Sequence, residues 1–164
     1  MPRDELRDLF NRLAPEARAR LLAINPRLRA HVEKAQRRGG FVEATARRDG
    51  DVVILVAKGL RLSLLPNALK GMHPQKEARL RRREHEAIRG ALAAVAPPPS
   101  PWRVTITRLG PVPVDSDAAW TSAKGVRDEV AAWCGVDDGS SLYDWRVLSE
   151  VARGYAVRVQ VEHV

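Results

Sequence analysis

Apolar positions along the first 40 residues recur at helical spacing. Leu6, Leu9, Phe10, Leu13, Ala17, Leu21 and Leu22 follow that period, and Pro15 suits the first turn of a second helix. A further short helix is expected from Pro26 to Arg37, stopped by Gly39-Gly40. After that the period changes to that of strands. The run VVILVA at residues 52–57 follows the turn-like Asp49-Gly50 and precedes Lys58-Gly59 and LRLSLL at residues 60–65, which reads as a hairpin. Residues 75–95 return to helix, with Leu80, Ile88, Leu92 and Val95 so sparse in the first half that this half is expected to be exposed on several sides.

The proline-rich PPPSP at 97–101 delivers the chain into RVTITRL, a strand with one buried face. A helix is then expected over about 118–134, with Trp120, Ala123, Val126, Val130 and Trp133 on one side and Gly135 as its stop. Residues 143–149 and 155–163 read as two further strands around Arg153-Gly154. Strands and helices mix without βαβ regularity, so the expected fold is α+β: a small mixed sheet with packed helices. A helical arm at 1–40 precedes a main domain at 41–164. The length of 164 residues suits one well-buried core with chain left over for such an arm.

Charge sharpens the picture. Lys plus Arg number 28 against 20 Asp plus Glu, a net charge of +8, which points to a polyanionic partner. The basic residues are dense at 76–89 (KEARLRRREHEAIR) and along 18–48, whereas carboxylates gather around 115–144. A basic protein with a local acidic pocket suits a metal-dependent nuclease, although a plain nucleic-acid binder with solvated acidic loops has the same distribution. No apolar run reaches the roughly 18 residues of a membrane span, and the N-terminus lacks the basic-then-apolar layout of a secretory signal. A soluble, cytoplasmic protein is expected. The single Cys134 is expected to be a small buried apolar side chain.

Asp115 and Asp117 stand two apart where a strand-like segment ends, a spacing that in extended chain points both carboxylates to one side. Together they suit Mg²⁺, with Mn²⁺ as a substitute, because Mg²⁺ takes one or two carboxylates and completes its octahedron with water and phosphate oxygens. Asp137 and Asp138 offer further oxygens beyond the helix, and Lys124 between the pairs would steady a phosphate oxygen or leaving group. Each has a plainer reading: Asp117 as a helix N-cap, Asp137-Asp138-Gly139 as a turn, Lys124 as a surface lysine. The four histidines lack zinc-ligand spacing, and neither a P-loop nor a dinucleotide fingerprint is present, so no small-molecule cofactor is expected.

Taken in order, TRLGPVPVDSDAAWTSAKGVRDEVAAWCGVDDGSS resembles the phage and prophage branch of RusA-like Holliday-junction resolvases. That branch reads as a strand, Asp-x-Asp-Asn, a helix bearing Lys-x-x-Arg-Asp, then Gly-Ile-Asp-Asp-Gly. The resemblance places Asp115 and Asp117 on its metal-binding acids, Asp138 on its third acid and Lys124 on its helix lysine. Upstream, LLPNALKGMH at 64–73 is similar to the family's Pro-Asn strand end and His-bearing loop. Basic helix and resemblance together give the DNA-binding candidates Asn67, Lys70, Lys76, Arg79, Arg81, Arg82, Arg83 and Arg127. The match covers about residues 60–162 and implies a RusA-like fold, Mg²⁺-dependent cutting of branched DNA and a homodimer. The chain departs from the pattern at Ser116 and at Ala118, where the family has Asn, and the lost amide favours an alternative, a decayed relative that binds DNA without cutting. A basic structural or assembly protein is the third reading. A straight helix over 118–134 would hold Asp117 and Asp138 roughly 25 Å apart. Either a later helix start with a folded-back return loop or a two-fold partner must close that gap.

Overall fold

The computed structural model describes Phe10 and residues 13–37, 42–62 and 73–164. Two short helices open it, α1 (Pro15–Ile24) and α2 (Pro26–Arg37), each with proline where its missing N–H costs nothing. Phe10 and Val32 form a small apolar cluster with Leu13, Leu21, Leu22 and Leu28, separate from the main core. The arm therefore has a nucleus of its own.

Strand β1 (Glu43–Asp49) and strand β2 (Val52–Lys58) form an antiparallel hairpin closed by Gly50-Asp51, with Gly50 at φ 60°. The sequence reading put this hairpin one element too late. Its expected second strand, LRLSLL, is not strand at 60–62, although Leu60 and Leu62 are buried in the core, and its remainder lies outside the described residues. Helix α3 (Pro74–Leu92) follows, then β3 (Trp102–Gly110), α4 (Ser116–Ser122), α5 (Lys124–Cys134), β4 (Tyr143–Val151) and β5 (Ala156–His163).

The five strands form one sheet in the order β1-β2-β5-β3-β4. The β3–β4 pair is parallel and the other pairs are antiparallel. The α+β class holds, with a mixed sheet. One βαβ unit is nevertheless present: a parallel pair cannot be joined by a tight turn, and α4 with α5 make the crossover. Strands β4 and β5 are consecutive in sequence but do not pair, because β3 lies between them.

Alternation along the strands sends Val53, Leu55, Val104, Ile106, Val157, Val159 and Val161 into the core with Ile88, Leu92, Val126 and Val130 from the helices. Helices α3 and α5 run parallel. Glu84 packs against Gly125, His85 and Arg89 meet Glu129, and the Trp133 indole donates to the Val95 carbonyl at 2.9 Å. That register carries the turns of α3 before Glu84 beyond the N-terminal end of α5. Among the described residues, no helix is long and apolar enough to cross a membrane.

Candidate metal and nucleic-acid site

The segment from β3 to α4 carries the first pair of acids, at the carboxyl end of a strand in a parallel pair, where open α/β units place ligands. Its anchor is Arg108, which sequence reasoning missed. This residue continues the inward alternation of Val104 and Ile106, is 6% exposed, and donates from Nη1 to the Val112 carbonyl at 3.0 Å and to Ser149 Oγ at 3.4 Å. Burial lowers its pKa, offset by Tyr155. An arginine at an inward position of an otherwise apolar strand was the available signal.

Asp115, not Asp117, is the N-cap of α4. It is extended (φ −65°, ψ 165°), and its Oδ1 accepts from the Ala118 N–H at 2.8 Å. Asp117 sits inside the first turn, exposed, without a side-chain partner among the described residues. The extended geometry expected of both is therefore found in Asp115 alone. Asp115→Ala is expected to cost about 1 kcal/mol in a urea melt, and Asp115→Asn much less, because asparagine caps equally well.

The helix expected at 118–134 is broken at Ala123, which caps α4 at its C-terminal end and precedes α5. Ala119, Ser122 and Ala123 turn inward, in phase with Val126 and Val130 of α5, and Trp120, placed on that side by its spacing, is 41% exposed. Its ring lies against the Arg127 guanidinium, 4.1 Å from carbon to ring centroid. Arg127 is not a surface contact: its side chain is 12% exposed, with Nη1 4.0 Å from Asp138 Oδ2. Lys124 is exposed and donates to both Asp128 oxygens at 2.8 and 3.1 Å, one helical turn away, rather than reaching Asp115 or Asp117.

Asp138 lies in the loop that enters β4. Three contacts hold that loop: Tyr143 Oη donates to the Val136 carbonyl at 3.0 Å, Trp145 Nε1 to the Asp138 carbonyl at 2.9 Å, and Gly139 N–H to Asp137 Oδ1 at 2.9 Å. The last is the turn expected from Asp-Asp-Gly. Together the loop and the C-terminal half of α5 form a 390 Å³ groove lined by Asp128, Asp137 and Asp138. Asp138 thus shares a groove with Asp128 and Asp137 rather than with the α4 acids. Among the described residues, no three His, Cys, Asp or Glu side chains are grouped so as to hold a metal. Among the described residues, the expected three-acid set of Asp115, Asp117 and Asp138 is not assembled within one chain.

Cys134 is partly buried and burial pushes its thiol up to about 11, so it stays protonated and unreactive at neutral pH.

On α3, Lys76, Arg79 and Arg82 are exposed, spaced three apart over roughly 9 Å of axis. Arg81 is tied to Glu77 Oε1 at 2.8 Å, one turn back, and Arg83 is half-buried. Asn67 and Lys70 lie outside the described residues. The exposed basic turns, the α4 acids and Lys124 all stand toward the N-terminal end of α5. Compared with family models and with curated proteins, the sequence matches none.

Further along the α3–α5 seam lies a partly buried ionisable cluster that sequence reasoning also missed. Glu129 accepts from Arg89 Nη2 at 2.7 Å and Nε at 3.0 Å, and its Oε1 is 2.7 Å from His85 Nδ1. Burial pushes its carboxyl up, but the hydrogen bonds from Arg89 and His85 prevail and hold it below the usual range. Glu84 has no such help. It is 3% exposed with Oε1 unpartnered, and burial pushes its pKa to about 7, opposed by Arg81 and reinforced by Asp128.

Proposed function

We propose that this protein is a Mg²⁺-dependent, structure-specific endonuclease that hydrolyses phosphodiesters in branched DNA, as RusA-like Holliday-junction resolvases do. The observation that carries the reading is that the exposed basic turns of α3 run beyond the N-terminal end of α5, the end at which α4 brings in Asp115 and Asp117. Lys76, Arg79 and Arg82 draw in the phosphate backbone and release its counterions, supplying affinity without sequence preference. Asp115 and Asp117 would hold the cation. When bound, it would supply stabilisation of negative charge on the scissile phosphate and a more acidic water.

A resolvase makes two symmetry-related cuts, and we propose a homodimer to supply two sites. Two-fold pairing also offers a route by which Lys124 or Asp138 of one protomer reaches the α4 acids of its partner.

Ala118 favours a second reading, in which the chain binds branched DNA without cutting. A methyl group stands where an amide would donate and accept beside the cation. Isothermal titration with Mn²⁺ tests the metal site apart from cleavage. The expected result is a saturable site weakened at least tenfold in Asp117→Asn, whose fold is unchanged because the side chain makes no bond; equal isotherms for both proteins would remove the site from Asp117.

A further inference from the structure

Helix α4 buries only small residues, Ala119 and Ser122, and leaves its one large apolar side chain outside. The core does not use Trp120. Its indole is nonetheless held in place, because the Arg127 guanidinium lies against one ring face and Arg127 is itself held between that ring and Asp138. With Arg127 against one face, Trp120 still has 41% of its surface exposed. A rigid, half-open indole backed by a cation is what a flat aromatic ligand stacks upon.

We propose that Trp120 is a stacking platform for an unpaired nucleobase of the DNA ligand. The proposal rests on DNA being the partner, as above, and adds a specificity element to it. Trp120 follows Asp117 by three residues, so the two side chains are neighbours on α4, about 5 Å apart along its axis. A phosphate drawn to Asp117 through a cation therefore has its own base within reach of the indole. Bases inside a duplex already stack on both faces and cannot offer one, whereas bases at a branch point or in single strands can. Stacking on an aromatic side chain tolerates any base, so it selects for unpaired structure rather than sequence. The basic turns of α3, with Lys76, Arg79 and Arg82 exposed, lie toward the same end of α5 and supply charge complementary to a nucleic-acid strand.

The test uses the full chain in EDTA at fixed salt, with a labelled oligodeoxythymidylate and a blunt duplex of equal length, and reads anisotropy and tryptophan emission. Trp120→Ala is expected to weaken oligothymidylate binding roughly tenfold or more while changing duplex binding less than about twofold. Emission of the wild-type protein should be quenched by the oligonucleotide, and Trp120→Phe, which conserves an aromatic ring, should remove most of the quench. Equal weakening on both DNAs, no weakening on either, or a Trp120→Ala protein of half the wild-type mass would overturn the proposal, the last by assigning the indole to a second copy. Because the assay needs neither metal nor cutting, an inactive protein that still binds through Trp120 would sink the nuclease reading and leave this one standing. Active cleavage with unchanged oligonucleotide binding would do the reverse.

Discussion

Glu84→Gln is expected to stabilise the protein at pH 8 by about 2–3 kcal/mol and to have little effect at pH 4. The carboxyl has a pKa of about 7 in the fold against 4.5 as its ordinary value, because burial in the α3–α5 seam penalises the anion. At about 1.4 kcal/mol per pKa unit, that difference sets an upper limit near ~3 kcal/mol. The sign follows from proton linkage. The folded state holds the proton more tightly than the unfolded chain, so stability is full below pH 4.5 and is lost as pH rises through about 7. Glutamine keeps the shape of the neutral acid and cannot ionise. Urea melts of wild type and variant at pH 4, 6 and 8 read the difference; parallel curves would mean that Glu84 meets water or a partner that offsets its burial.

A comparably large loss is expected at Ile106, the middle of β3, which is completely buried beside Val159 on β5 and Val147 on β4. Ile106→Ala removes the transfer free energy of three carbons and leaves a cavity between sheet and helices, at a cost of about 2–5 kcal/mol. The neighbouring Thr105 points to the other face of the same strand, and Thr105→Ala is expected to cost less than about 1 kcal/mol. Chemical denaturation of the two variants tests the facing of β3, and similar losses would contradict it.

That facing was legible in the sequence because RVTITRL and YAVRVQVEH alternate cleanly, and the second half of α3 was legible from Ile88 and Leu92, although the helix expected to reach residue 95 ends at Leu92. Strand β1 was not. Its sequence EATARRD carries little strand preference and is half exposed at the edge, so its pairing with β2 is imposed by the tight Gly50-Asp51 turn and the apolar partner strand. The apolar run after Gly59 then drew the hairpin away from its true position, since Leu60 and Leu62 are buried without belonging to a strand.

At the site, residue types were legible and partners were not. Asp115, Asp117 and Asp138 stand out by spacing. Which of the first two caps the helix depends on where its first turn starts, and that Arg127 rather than Lys124 lies beside Asp138 depends on the return path of the loop after α5, neither of which helical periodicity reports. Trp120 was placed on the inward side by its spacing, but the line of buried positions runs through Ala119, Ala123, Val126 and Val130, about one residue away from it. Arg108 and Glu84 are charged groups at buried positions, and a pattern of hydrophobicity assigns those to the surface by default.

The account is tested most directly by cleavage of an end-labelled synthetic four-way junction and a matched linear duplex, with Mg²⁺ or with EDTA, by wild type and by Asp117→Asn. The expected result is paired nicks in the junction alone, dependent on Mg²⁺ and reduced at least a hundredfold in the variant. Junction binding by the wild-type protein with no nicks in Mg²⁺ would contradict the nuclease assignment and leave a DNA-binding protein built on the same acids and basic helix.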